Sequence, residues 1–275
     1  MNAEPRCVTL CADDYGISPG VNRAICDLIA RKRLNATSVM VVGSAIGRSD
    51  VTALKEALAS NPGCAVGLHI TLTAPFHPLT MYFRPLNGGL LLPLGDMLRA
   101  SLLRRLDPEM LRAEIAAQLA QFIDLFGKAP DYVDGHQHVQ LFPQVRDAFI
   151  DAVKEAAPQA WVRQCGRARS TLNNPKALLL DVLSAKFRRL CARGNVAFNP
   201  GFAGAYDFTK ASDFAALMDG FLKDVPDRGL VMCHPGFVDE VLVSLDPLTH
   251  QREREYAFLA GDEFPKMLAA NNVRL

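Results

Sequence analysis

The sequence predicts an α/β protein: a parallel α/β barrel, or a closely related open sheet, in a single domain spanning 1–275. Two observations carry this. Short apolar, β-branched runs alternate with amphipathic helical segments along most of the chain. Acidic and imidazole side chains then gather where those runs stop, the edge at which such folds build their sites. No linker or shift of composition divides the chain.

Arg6 to Ala12 reads as a buried strand ending before Gly16, Ser18, Pro19 and Gly20. Pro19 to Arg33 follows with Val21, Ala24, Ile25, Leu28 and Ile29 at helical period. Thr37 to Val42 is a strand closed by Gly43, Val51 to Ala59 a helix, and Cys64 to Thr71 the third strand. Residues 74–106 break the rhythm with Pro, Gly and Leu around Asn87-Gly88-Gly89, as an inserted lid or substrate loop would. Asp107 and Pro108 supply an N-cap and a first helical residue for a long helix that Gly127 closes. Asp131–Gly135 (strand), Pro143–Ala157 (helix) and Ala160–Arg163 (strand) continue the alternation. A basic helix is expected over Ser170–Arg193, a strand over Asn195–Phe198, a loop over Asn199–Gly204 and a helix over Ala211–Lys223. Arg228–Cys233 is a strand, Pro247–Leu259 the last helix and Val273–Leu275 a final strand.

Composition narrows the partners. Hydrophobic residues make up 49% and charged residues 21%, an ordinary globular balance. A formal net charge of +1 gives no electrostatic reason to expect nucleic acid or an anionic membrane. The polar opening Met1 to Arg6 is no secretory signal, and no apolar run approaches a membrane span. The seven cysteines are scattered without a Cys-x-x-Cys pair, as in a reducing compartment. The expectation is a cytoplasmic protein with no membrane insertion.

The chemistry sits at strand ends. Asp13 and Asp14 are adjacent, and neighbours in a regular strand face opposite ways; a working pair needs the backbone to leave strand geometry, which Gly16 and the turn residues would supply. His69, His136, His138 and His234 also fall at or just after strand ends. Carboxylate plus imidazole is a ligand set for zinc and related divalent ions, and Asp14, His69 and His136 would complete one. Period-two spacing keeps Asp134, His136 and His138 on one side while their strand lasts, so one imidazole can bind an ion while a neighbour orients it. His77 in the 74–106 segment reads as packed or solvated. His250, with Arg252, Glu253, Arg254 and Glu255, reads as a solvated helix face. Arg84 and Arg163 are candidates for contact with an anionic substituent.

Ala12-Asp13-Asp14-Tyr15-Gly16, Val66-Gly67-Leu68-His69, Asp134-Gly135-His136-Gln137-His138 and Met232-Cys233-His234-Pro235-Gly236 resemble, in order, the motifs of the YdjC-like (ChbG-type) carbohydrate deacetylases. The resemblance implies a distorted (β/α) barrel of about seven mostly parallel strands, similar to polysaccharide deacetylases. It implies one divalent ion, zinc or magnesium, held by Asp14, His69 and His136. Asp13 would be the general base and His234 the general acid, with His138 and Asp134 supporting the ligands or facing substrate. The activity implied is hydrolytic removal of acetyl groups from N-acetylated sugars, chitooligosaccharide-like or glycolipid-linked, by ion-activated water. Relatives also suggest a homodimer. Two other classes use similar parts: metal-dependent phosphoesterases or cyclic amidohydrolases, which often hold two ions, and a non-catalytic sugar-binding module on the same scaffold.

Overall fold

A computed structural model describes residues 4–168, 175–208 and 213–275. The chain runs β1 (Arg6–Cys7), β2 (Thr9–Tyr15), α1 (Pro19–Ala30), β3 (Ala36–Val39), α2 (Arg48–Ala59), β4 (Ala65–Ile70), α3 (Leu94–Leu102) and α4 (Pro108–Phe126). It continues with β5 (Tyr132–Gly135), a 3-10 turn (His136–Leu141), α5 (Val145–Ala156), β6 (Trp161–Val162), α6 (Pro175–Gly194), β7 (Phe202–Ala203) and α7 (Phe214–Asp224). Last come β8 (Leu230–Cys233), α8 (Glu240–Leu245), α9 (His250–Ala260), α10 (Glu263–Ala270) and β9 (Val273–Arg274).

Seven strands form one sheet in the order β6-β5-β4-β3-β2-β8-β7, and every neighbouring pair is parallel. The central strands are buried along almost their whole length, which is why they read as continuous apolar runs rather than alternating ones. β1 and β9 form a separate parallel pair that ties the two ends of the fold together. The sheet curls towards closure where β6 approaches β7. Asn199 accepts from Gln164 N at 2.8 Å and donates to Gln164 O at 3.0 Å and Gly201 O at 2.9 Å, stitching the end of β6 to the start of β7. Nearby, Val162 N donates to Ala197 O. This is the curled parallel α/β barrel that the alternation predicts.

Helix ends follow local chemistry. Ser18 caps α1 by accepting from Val21 N at 3.2 Å, with Pro19 in the first turn. Asp107 caps α4 through Glu109 N and Met110 N, and Gly127 ends it with φ 74°. Both ends of α4 fall where the sequence places them.

Other elements differ from expectation. The strand expected at 195–198 gives only a single bridge from Phe198 to Val162, and the paired strand is β7, inside the expected loop. The sequence pattern does not predict helices α8 and α10; α8 has six residues and α10 eight, too short to show a helical period. Residues 170–174 of the expected basic helix and 211–212 of the expected helix before β8 lie outside the described residues. The 74–106 segment is no loose loop. It contains α3 and buries Phe76, Phe83, Leu91 and Met97, while Ala74 N pairs with Leu92 O and Leu91 N with Phe76 O. Glu114 of α4, fully buried, anchors it by accepting from Leu79 N, Thr80 N and Thr80 Oγ1 at 2.7–3.0 Å. Among the described residues no helix is long and apolar enough to cross a membrane.

Candidate active site

β2 runs to Tyr15, beyond the expected end at Ala12, so Asp13 and Asp14 lie within its last turn of pleat. The pairing of β2 with β3 slips between Ala12 and Tyr15, and Asp14 itself adopts φ 72°. That bulge redirects two adjacent carboxylates into the barrel mouth. The departure from strand geometry thus comes from the aspartate as well as from Gly16 (φ 101°).

β4 and β5 deliver the next groups. His69 pairs in register with Asp134, so both side chains rise from the same face of neighbouring strands. His69 Nδ1 donates to Asp134 Oδ1 at 2.6 Å, which leaves Nε2 directed at Asp14 Oδ1, 3.4 Å away. β5 stops at Gly135, and His136 opens the 3-10 turn with Nδ1 3.1 Å from the same Asp14 oxygen. Gln137 and His138 then take φ 53° and 60°, so His138 leaves the side shared by Asp134 and His136. Strand spacing does not extend that far. His138 packs instead against Phe202 and places Nδ1 3.4 Å from Cys165 Sγ, where burial and then Arg163 push its pKa down to about 3.

The three predicted ligands therefore converge. One ligand atom from each of Asp14, His69 and His136 lies within 4.8 Å of the others, and all three residues are buried. Tetrahedral bonds of about 2.0–2.1 Å set neighbouring donors roughly 3.3–3.5 Å apart; the 3.4 Å separation falls in that range and the 3.1 Å one lies slightly inside it. The carboxylate behind His69 fixes the tautomer that leaves Nε2 for ligation. The residues present fit a divalent ion.

A second cluster, Cys11, Asp13 and Asp134, also has ligand-like spacing. It already holds a cation, the guanidinium of Arg163. Arg163 grips Asp13 through Nη1–Oδ2 and Nη2–Oδ1, both 2.6 Å, and reaches Asp134 Oδ2 at 2.5 Å and Cys11 Sγ at 3.0 Å. Ser38 Oγ donates to Asp134 Oδ2 at 2.6 Å, and Tyr132 OH lies 3.0 Å from Ser38 Oγ. Gly67 makes room for this: a Cβ there would sit 2.3 Å from the Tyr132 ring. Arg163, expected to face a substituent of the substrate, is instead wholly buried and pairs with protein carboxylates. Nothing in a two-residue strand announces that burial; only the fold creates it.

The charges shape each pKa. Burial alone would raise the Asp13 carboxyl, but Arg163 and then His69 outweigh it and hold it well below the usual carboxylate range. Asp14 is likewise held low: burial opposes, while Arg252 and hydrogen bonds from His136 and His69 prevail. For His69 burial acts downward, but Asp134 and Asp13 win and raise it to about 10.

His234, at the end of β8, stands close enough to Asp14 and Asp13 to feel both charges, yet burial dominates and lowers its pKa. Its ring meets Phe208 edge to face at 5.4 Å, and its backbone N donates to Glu255 Oε2 at 2.5 Å. Tyr206 OH donates to the other oxygen of Glu255, whose carboxyl burial pushes up to about 7. Arg252 and Glu255 are thus buried site residues, a correction to the solvated face expected for α9. The i, i+3, i+7 spacing of Arg252, Glu255 and Leu259 was the available clue, since Leu259 is also buried. His77 is exposed, as expected, with Nδ1 3.1 Å from Gly89 O.

A cavity of about 300 Å³ opens beside the cluster. His136 and Gln137 form one wall, Pro75, Phe76 and Leu94 of the 74–106 segment another, and Ser244 to Pro247 a third. An imidazole–carboxylate centre at the carboxyl edge of a curled parallel sheet, open to a pocket, defines the class: an α/β barrel with a hydrolase-like site. The chain belongs to the YdjC-like protein family, whose model matches residues 7–270. It is 30% identical over 236 residues to the chitooligosaccharide deacetylase of Escherichia fergusonii, covering 84% of this chain and 82% of that protein. In structure it is similar to a protein of Enterococcus faecalis V583 named for cellobiose-phosphate cleavage, with a TM-score of 0.73 and 20% identity over 99% and 97% of the two chains.

Proposed function

We propose that this protein is a carbohydrate deacetylase that hydrolyses the acetamide of an N-acetylated sugar with one divalent ion, zinc or magnesium, held by Asp14, His69 and His136. The supporting observation is the pairing of two clusters: one of open donor atoms, the other already filled by Arg163. That inventory favours one ion per chain over the two-ion sites of phosphoesterases and cyclic amidohydrolases.

The ion, when bound, polarises the amide carbonyl and makes water acidic enough to attack near neutral pH. Asp13 accepts the proton of the attacking water. Its low pKa keeps it ionised at every working pH, and the Arg163 fork fixes its direction. His234 gives a proton to the departing nitrogen as the C–N bond breaks; burial lowers its pKa, so it must first take up a proton at the site, from solvent or from the water that attacks, and then releases it readily. The products are acetate and a free amine. Phe76, beside His136 at a ring separation of 5.9 Å, supplies an apolar wall for the sugar. The 74–106 segment selects the substrate, chitooligosaccharide-like or glycolipid-linked, and a cytoplasmic homodimer is the assembly to test.

The experiment is acetate release from di-N-acetylchitobiose and a panel of N-acetylated sugars, with and without zinc, magnesium or cobalt. Ion-dependent release at one equivalent per chain is expected. Failure on every sugar despite a bound ion would favour the sugar-binding module, and two equivalents would favour the two-ion hydrolases.

Ion binding should also depend on pH. Without an ion the His69 imidazolium is stabilised by Asp134, with a pKa of about 10 against an ordinary 6.5. Its contribution to stability is complete below about pH 6.5 and fades as pH rises through about 10. An ion must displace that proton, so apparent affinity rises about tenfold per pH unit between pH 7 and 9. Calorimetry in buffers of different ionisation enthalpy reads the proton released; pH-independent affinity contradicts it.

A further inference from the structure

The two oxygens of Asp14 do different work. Oδ1 faces both imidazoles, whereas Oδ2 accepts from Arg252 Nη2 at 2.7 Å. Arg252 comes from α9, 238 residues away in sequence, and is wholly buried. The same Nη2 reaches Asp246 Oδ2 at 2.6 Å, and Nε donates to Leu248 O at 3.0 Å. Asp246 belongs to the wall of the pocket and is the partly exposed member of the set, its side chain 17% accessible. Arg252 also carries the turn after His234: Gly236 N donates to Arg252 O at 3.1 Å, and a Cβ on Gly236 would lie 3.3 Å from Arg252 Cδ.

Resting on the ion-binding reading above, we propose that Arg252 and Asp246 are a positioning pair that locks Asp14 as a one-oxygen ligand aimed at His69 and His136. Asp14 sits on a bulge with φ 72°, so the strand alone does not fix its side chain. The lock comes from outside the sheet, through a guanidinium tied to the rim of the pocket. Because Arg252 and Asp246 carry opposite charges, the pair adds no net charge beside the ion. Replacing both partners therefore removes the contact that orients Asp14 while leaving the net charge of the site unchanged.

The test is zinc or cobalt affinity of metal-stripped protein at fixed pH, read by competition with a chelating dye, with a thermal melt confirming that each variant is folded. Arg252→Met combined with Asp246→Asn preserves the charge balance and leaves Asp14 Oδ2 without its donor. Affinity is expected to fall about 10–100-fold, the usual cost of losing a group that orients a ligand. Arg252→Lys keeps the charge but removes the Nε donor to Leu248 O that holds Nη2 in place, and should weaken binding about three- to tenfold, serving alone if the double variant does not fold. Unchanged or tighter binding in the folded double variant, or wild-type affinity in Arg252→Lys when the double variant is unfolded, overturns the proposal. A His136→Ala control separates the two ideas. If it binds the ion as well as wild type does, or wild type binds none, the ion-binding reading fails and takes the positioning pair with it. If His136→Ala loses the ion while the double variant keeps it, only the positioning pair fails.

Discussion

Replacing Asp13 with asparagine is expected to cut acetate release by at least about a hundredfold while leaving one ion per chain in place. General base catalysis contributes on the order of 10²–10⁴, and asparagine cannot take the proton. The ligand set is untouched, because Asp14, His69 and His136 meet one another without Asp13. The substitution also disturbs Arg163, whose two 2.6 Å bonds both end on Asp13. An amide accepts through one atom only, so part of the guanidinium loses its partner and some stability goes with it. Steady-state kinetics beside ion content makes the check: reduced kcat with full ion occupancy supports the role, and wild-type turnover removes Asp13 from the chemistry.

Replacing Arg163 with methionine should be the most damaging single change to stability outside the apolar core. It leaves Asp13 and Asp134 buried without the cation that compensates them. Breaking a buried pair from one side costs about 3–5 kcal/mol. At roughly 2–4 °C per kcal/mol for a chain of this size, Tm should fall by about 10 °C. Arg163→Lys should recover part of the loss, because an ammonium keeps the charge but cannot fork across both Asp13 oxygens. Thermal melts of the three proteins decide it. A methionine variant as stable as wild type would show that the carboxylates find other compensation, and that the second cluster is not held by Arg163.

Much of this site is legible in the sequence because its groups stand at strand ends. Asp14, His69 and His136 follow apolar runs that can only be buried strands, and parallel strands in one sheet end at one edge. Asp107 and Gly127 are legible for a local reason, since caps depend on the residue at the helix end alone. Arg163 and Arg252 are not. Their roles depend on partners 150 and 238 positions away; an arginine at the end of a short strand reads as facing substrate, and one in a charged helix as solvated. β7 is not legible in the sequence because a strand of two residues has no alternation to detect. His138 shows the limit of spacing arguments: two consecutive left-handed residues turn it away from a face that period two assigns to it.

The central claim is that one cation is shared by Asp14, His69 and His136. Anomalous diffraction from crystals of zinc-loaded protein tests it most directly. A single peak within bonding distance of Asp14 Oδ1, His69 Nε2 and His136 Nδ1 is the result predicted. A peak against Cys11, Asp13 and Asp134, or two peaks of equal weight, would contradict it.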